Sequence, residues 1–560
     1  MITATSLPTA YPLDRAGNFG TYGMQGQAVT GRTFRTRHSR GNYLADWRIK
    51  SLDSILATAE KKSLHRSLGA FQLTMLGIGG IIGTGIFVLT AEAAQVAGPA
   101  MLVSFVLAAV VCGLAALCYA ELASMVPVSG SAYTYSYATF GEILAWVVGW
   151  ALVLEYAVAA SAVAVGWSGY AVGVLQNFAG IELPKTLVNG PYAGGLINLP
   201  AVVISIAVTW LLVVGTKESA TVNAVLVVVK VLALTAFVAL AVPAVKAENF
   251  VPFMPLGAGS AIGAASIIFF AFVGFDAVST AAEETKDPQR NIPIGLIASL
   301  VICTIFYLLV GTGVIGSYGA QPVLDAAGKS MMPGSVELTA ACTALGDAPV
   351  VCSKEALAHV LREIGYPGIG NLLGLAAGFA LPSVVLMMMF AQTRVFFVMS
   401  RDGLLPKGLS KIHPKYKTPH IVTMVTGAAV TIAAAFFPVG QLASVSNGGT
   451  LCAFFFVALA IMALRRSNPD RKRSFRTPAV WVVAPLAAAG CLLLFGFLSW
   501  VSQAVFFGWA ALGLVFYFLY GRSRSNVAMG IDEVNELNPD IPPQGVPPLP
   551  GIPTPGGKQA

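Results

Sequence analysis

The chain has 560 residues, of which 56% are hydrophobic and only 11% charged, with a net charge of +8. Its mean hydropathy is +0.74. A soluble domain carries about 25% charged residues, so this composition excludes one and points to an integral membrane protein.

Residues 1–65 are polar and rich in Arg, Gly, Ser and Thr, without the short apolar core of a signal peptide, and read as a retained tail. Twelve apolar segments follow, each near the length of about 20 residues that a helical span needs. They fall at about 72–97, 100–124, 141–170, 197–215, 221–243, 259–282, 292–316, 371–399, 421–437, 441–464, 479–499 and 501–520. Their close spacing predicts one membrane domain over 66–520, and their length excludes the short alternating strands of a membrane barrel. Residues 521–560 end in NPDIPPQGVPPLPGIPTPGGKQA, too rich in Pro and Gly to build a core, and read as a disordered tail.

Basic residues favour the cytoplasmic side. With twelve spans and both ends inside, 27 Lys and Arg fall on inner segments and 5 on outer ones. The positive charge is thus a topology signal, and a nucleic-acid partner is not needed to explain the basic tail. Cys342 and Cys352 lie in ACTALGDAPVVC, within a long polar segment at about 317–370 that this topology puts outside. Two close cysteines in an oxidising compartment suggest a disulfide; two unpaired thiols are the alternative. The five histidines lie outside the apolar segments' centres and the remaining cysteines are scattered, so no metal or haem ligand set is expected. No nucleophile–base pair for an enzyme is evident, and the expected cofactor list is empty.

The informative residues are polar defects inside the spans. In hydrocarbon every backbone N–H and C=O must find a partner within the protein. Yet the first span contains GIGGIIGTGIF, Gly77 to Phe87, and glycine disfavours helix by about 1 kcal/mol relative to alanine. An opened helix there offers N–H groups to a carboxylate and carbonyls to an ammonium. Close helix packing through small residues is the competing reading. The sixth span carries Gly274, Asp276, Ser279 and Thr280 in an apolar run, the matching position if two halves repeat. Asp276 is expected to cap the inner half-helix. Lys230 stands mid-span in AVLVVVKVLALTAF; a central lysine costs about 2.5–3.5 kcal/mol on insertion scales, which marks it as a proton-coupling candidate or as one half of a fixed ion pair. Glu155, in the third span, is either a contact for a substrate amine or a hydrogen-bonded core residue.

GIGGIIGTGIF, FFAFVGFDAVSTAAEETKDPQRNIP, LEYAVAASAVAVGWSGY and QTRVFFVMSRDGLLP together resemble the amino acid–polyamine–organocation superfamily, and among its branches the bacterial relatives of the cationic amino acid transporters. The likeness covers about residues 60–480. It implies an all-α integral membrane protein with 12 transmembrane helices and a leucine-transporter-like fold: inverted five-helix repeats at about 70–243 and 259–464, broken helices 1 and 6, and two further helices at 479–520. It also implies that backbone at Gly83, Thr84 and Gly85 binds a substrate carboxylate. The amine would meet carbonyls of Ile81, Phe270, Ala271 and Val273, with the Phe270 ring as a gate. Lys230 would be the proton-coupling lysine, with Ser383 as a neighbour.

Three departures matter. Pro382 in ALPSVVLMMMF predicts a kink beside Ser383. Met388 stands where the cationic members have serine, so the pocket is expected to be short and apolar. Ala151 removes a charge often present in relatives. The expectation is an amino acid permease of a bacterial inner membrane, not an enzyme, with both termini cytoplasmic. Proton-coupled uptake of neutral amino acids by alternating access is the first reading. An exchanger, a cationic amino acid or polyamine carrier, or a transporter-like sensor are the alternatives. The expected partners are the amino acid and the lipid bilayer; oligomeric state is open.

Overall fold

The computed structural model describes residues 48–50, 52, 55, 68–128, 130–215, 220–346, 348–416 and 418–529, without the side chains of 220–223 and 283. Most of both expected tails lies outside these residues. The first apolar segment forms three pieces, α1 (Ala70–Ile81), α2 (Thr84–Phe87) and α3 (Leu89–Ala97), and α4 (Met101–Met125) follows after a single 3-10 turn. Next come a short helix α5 (Ser131–Phe140), the 38-residue α6 (Glu142–Ala179), α7 (Leu199–Val214) and α8 (Ala220–Ala241). The second interrupted segment is α9 (Ala258–Ile268), a 3-10 turn at Phe269–Phe272 and α10 (Ala277–Thr280). Then follow α11 (Pro288–Tyr318), two loop helices α12 (Val336–Ala344) and α13 (Ala356–Glu363), α14 (Pro367–Arg401), α15 (His420–Phe436), α16 (Val439–Ser467), α17 (Val480–Gly496) and α18 (Trp500–Phe516).

Among the described residues, eight helices are long and apolar enough to cross a membrane, and four apolar helices of 12 to 17 residues accompany them. The protein is thus all-helical. Helix α6 is the central post, packed along α14 and α16, while α11 lies against α1 and α4. Small residues allow these close crossings. A Cβ on Gly449 of α16 would stand 2.6 Å from the Ala151 carbonyl of α6, and one on Gly166 of α6 would stand 2.3 Å from the Thr84 methyl. Helix α14 runs through Pro382 as one element and does not divide at the kink that proline predicts.

Charged side chains gather at one end of the bundle. Glu121, fully buried at the end of α4, is ion-paired with Arg465 at 2.7 Å and Arg473 at 3.0 Å, and its Oε2 accepts Arg465 Nη2 at 2.8 Å and the Thr477 N–H at 2.7 Å. Nearby segments from both ends of the chain meet. Arg48 pairs with Glu142 at 3.1 Å, and Glu142 also accepts from Tyr137, Tyr517 and Ser525. Lys50 and Tyr133 both donate to Asp402, at 3.1 and 2.7 Å. Burial pushes the Asp402 carboxyl up, but Lys50, Arg401 and Tyr133 together hold it below the usual carboxylate range. This contact therefore persists at neutral pH and is lost only on acidification through that lowered value. At the opposite end Cys342 and Cys352 are disulfide-bonded, with Cα atoms 5.5 Å apart.

Breaking a buried ion pair leaves an uncompensated charge and costs about 3–5 kcal/mol. Glu121→Gln should strand two guanidinium groups and sharply lower the melting temperature of the detergent-solubilised protein. An unchanged melting curve would remove Glu121 from the account of stability.

Candidate functional site

The first break is small and chemically specific. Helix α1 makes its last bond from Ile82 N–H to Ile78 O at 2.8 Å, and Gly83 then adopts an extended backbone. The carbonyls that residues 83–85 would have capped, those of Gly79, Gly80 and Ile81, lose their helical donors. The first N–H groups of α2 likewise have no helical acceptor. In the second break Val273 is extended and Gly274 has φ +113°, a conformation that glycine alone adopts without strain.

The two breaks touch each other. A Cβ on Gly85 would lie 2.3 Å from Ala271 Cα, and one on Gly274 would lie 2.9 Å from the Gly80 carbonyl carbon. Only backbone fits at these positions. The residues before α1 and after α10 also pair, Leu68 N–H to Glu284 O at 3.1 Å and Lys286 N–H to Leu68 O at 2.8 Å. One unit of contiguous backbone therefore joins both interruptions.

Two buried side chains take up two of the freed carbonyls, those of Gly79 and Ile81. Lys230 Nζ on α8 donates to Gly79 O at 3.0 Å, with 1% of the residue exposed. Tyr307 Oη on α11 lies 2.8 Å from Ile81 O and 2.9 Å from Ala271 O, so one hydroxyl is shared between the two broken helices. Each carbonyl oxygen keeps a second lone pair for another donor. Thr84 directs its hydroxyl to Val163 O at 3.5 Å. The wall over these groups is apolar. Val384 of α14 faces Gly83, Met387 faces Gly80, and Met388 faces Gly274. Ile81, Thr84, Phe270, Ala271, Val273 and Met388 are each at most 5% exposed.

The structure thus brings Ile81, Gly83, Thr84, Gly85, Phe270, Ala271, Val273, Lys230 and Met388 into one region. Ser383 stands apart from Lys230 in its bonding, since its hydroxyl donates to Ala380 O of its own helix at 2.7 Å. Glu155 is buried, with both carboxylate oxygens unpartnered among the described residues, and its Cβ packs against Gly449 of α16. Asp276 makes no cap bond to α10. Its carboxylate instead accepts Tyr156 Oη of α6 at 2.6 Å, because the buried phenol needs an acceptor and the break leaves Asp276 facing α6. Tyr307, Tyr156, Val384 and Met387 join the site without standing out as site residues in the sequence. The two tyrosines do leave a signal there, a phenol inside an apolar span.

Long apolar helices around a paired backbone break define a multi-pass helical membrane protein. The chain belongs to the amino acid permease family, whose model matches residues 68–520. It is 46% identical over 489 residues to the branched-chain amino acid permease BcaP of Bacillus subtilis (strain 168), covering 86% of this chain and 98% of that protein. It is 42% identical over 482 residues to the methylthioribose transporter of the same organism, covering 86% and 98%. It is 32% identical over 434 residues to cationic amino acid transporter 4 of Homo sapiens, covering 75% and 63%. The chain is an amino acid permease and not an enzyme.

Tyr307→Phe leaves two buried carbonyls without their shared donor, a loss of about 1–3 kcal/mol. The variant should melt earlier and bind amino acid roughly tenfold more weakly, as read by ligand-dependent thermal shift. Gly85→Ala should abolish that shift, because its Cβ collides with Ala271 backbone.

Proposed function

We propose that this permease imports neutral amino acids with aliphatic side chains, driven by a proton gradient, through alternating access. The observation that carries the reading is that the α14 side chains facing the glycines of both breaks are the apolar Val384, Met387 and Met388. Such a wall favours an apolar substrate side chain, since an unpaired charge buried there is costly. The name of the Bacillus subtilis branched-chain relative agrees with that preference.

In this reading the substrate carboxylate meets the backbone at Gly83, Thr84 and Gly85. The ammonium uses the second lone pairs of Ile81 and the carbonyls of Phe270, Ala271 and Val273, under the Phe270 ring. Lys230 is the proton carrier, and Ser383 of α14 would be its hydroxyl neighbour. Protonated, Lys230 holds the Gly79 carbonyl and fixes the inner half of the first broken helix. Deprotonated on the inner side, it releases that carbonyl, and the half-helix is free to move. Glu155 tunes the region from α6. The fold is leucine-transporter-like, with twelve spans in which the four shorter apolar helices also cross. Repeats run over about 70–243 and 259–464, both termini are cytoplasmic, and the cell inner membrane is the location.

The test is uptake of labelled leucine and alanine into proteoliposomes under an inward proton gradient, competed by each of the twenty amino acids. Gradient-dependent accumulation blocked by aliphatic amino acids is expected. Lys230→Met should lose accumulation yet keep substrate-induced thermal stabilisation. Competition by arginine and lysine alone would transfer the chain to the cationic carriers, strict counterflow would make it an exchanger, and binding without flux would mark a sensor. Full gradient-driven uptake by Lys230→Met would sink the coupling mechanism.

A further inference from the structure

Helix α14 follows the second broken helix toward the end of the bundle that carries Asp402. A Cβ on Gly274 would stand 3.3 Å from Met388 Cε. Further along, Arg394 donates to Thr280 O, at the end of α10, at 3.4 Å and pairs with Glu284 at 3.2 Å. From 388 to 394 α14 therefore runs beside residues 274–280. Gln392 stands in that stretch, one turn past Met388 and on the same face of α14. It is 2% exposed, and its Oε1 has no hydrogen-bond partner among the described residues.

Helix α5 also meets α10. Ser279 donates to Ser131 Oγ at 3.4 Å, and Ser131 shares a 2.6 Å bond with Tyr119 Oη. The Tyr119 ring meets Tyr135 edge-on at 5.8 Å. Tyr135 Oη stands beside the Ser279 hydroxyl without reaching hydrogen-bond geometry, and the residue is 1% exposed. A buried amide oxygen and a buried phenol, both unpartnered, thus flank α10. Buried polar groups are nearly always hydrogen-bonded, so an unpartnered one needs an explanation. Packing supplies none, because methionine and phenylalanine would fill the same space without stranding a polar atom. Gln392 Oε1 is an acceptor and the Tyr135 O–H is a donor. They complement an ammonium and a carboxylate, and both are uncharged.

We propose that Gln392 and Tyr135 form a second amino acid position, occupied as substrate leaves the breaks toward the end that carries Asp402. Its ligand is the zwitterion common to α-amino acids, with the ammonium on Gln392 Oε1 and the carboxylate on the Tyr135 hydroxyl. The position rests on the reading of the two breaks as the amino acid site. That this end is the inner one rests on the topology proposed above. Helix α10 is one turn long, with the break at Gly274 before it and a 3-10 turn at Ala282–Glu284 after it. It can swing aside without unwinding a long helix, and the space it vacates lies between α14 and α5. Neutral partners then hold the zwitterion firmly enough to receive it and weakly enough to release it.

The experiment compares the two faces of the membrane. Right-side-out and everted vesicles from cells expressing the full chain are preloaded with unlabelled leucine. Counterflow of labelled leucine is measured against its external concentration, without a proton gradient. Gln392→Met and Tyr135→Phe should each raise the half-saturating concentration roughly tenfold on one face and leave the other within about twofold. In detergent without substrate, both variants should melt at or above the parent's temperature, since each removes an unpartnered polar atom from the interior. Equal shifts on both faces would put these residues in the central site, and no shift would take them off the path. A lower melting temperature would make them internal bonding partners. Each of these three results overturns the proposal. Where arginine and lysine alone compete in the uptake test, labelled arginine replaces leucine, because the second position reads only amino and carboxyl groups. A parent without counterflow would count against the amino acid site itself and this position with it, whereas variants that match the parent count against this position alone.

Discussion

Everything in this molecule follows from one constraint: a backbone carbonyl in hydrocarbon needs a donor. The break at Gly83 strips three carbonyls of their helical partners, and the fold supplies replacements for two of them from outside the helix. Lys230 crosses from α8 to Gly79, and Tyr307 reaches from α11 to Ile81 and Ala271. An opened helix that would be ruinous in isolation becomes a fixed feature. The replacement donors are side chains on other helices, so the state of the break depends on how those helices pack.

Glycine does two different jobs in this architecture. At Gly83 and Gly274 it allows the chain to leave the helix, and at Gly274 a positive φ makes glycine necessary. At Gly85, Gly166, Gly173 and Gly449 the backbone is helical and the missing side chain is what counts, since each meets a neighbour where no Cβ fits. The first job creates binding groups. The second brings α6, α16 and the broken helices close enough that a shift in one is felt by the next.

The breaks themselves are legible in the sequence, because a run of helix-averse residues inside an apolar segment weakens the helix where water cannot repair it. Lys230 is legible for the same reason: a charge mid-span needs a partner. Asp276 reads as a cap because local spacing is all that a sequence offers, while its partner Tyr156 lies 120 positions away. Tyr307 is harder to see, since a lone phenol among leucines and valines looks like packing until its hydroxyl is found between two carbonyls. The glycine pairs at 169/173 and 370/374 carry no signal of what they admit, because their occupant comes from a loop.

In the proposed reading, substrate choice and conformational change would draw on the same surface. Helix α14 presents Val384, Met387 and Met388 to the breaks and, further along, Gly370 and Gly374 to the loop helix. A bulky aliphatic substrate pressed against the methionines would push on a helix that also packs against the loop helix α13. Methionine suits that position, since its flexible thioether fills irregular gaps without demanding one geometry. A serine at 388 would open space and add a polar group, loosening the apolar wall and the mechanical link together. Selectivity for neutral side chains and the packing of the loop helix would thus share one element, continuous through Pro382. A broken α14 would sever the connection between the methionine wall and the loop helix.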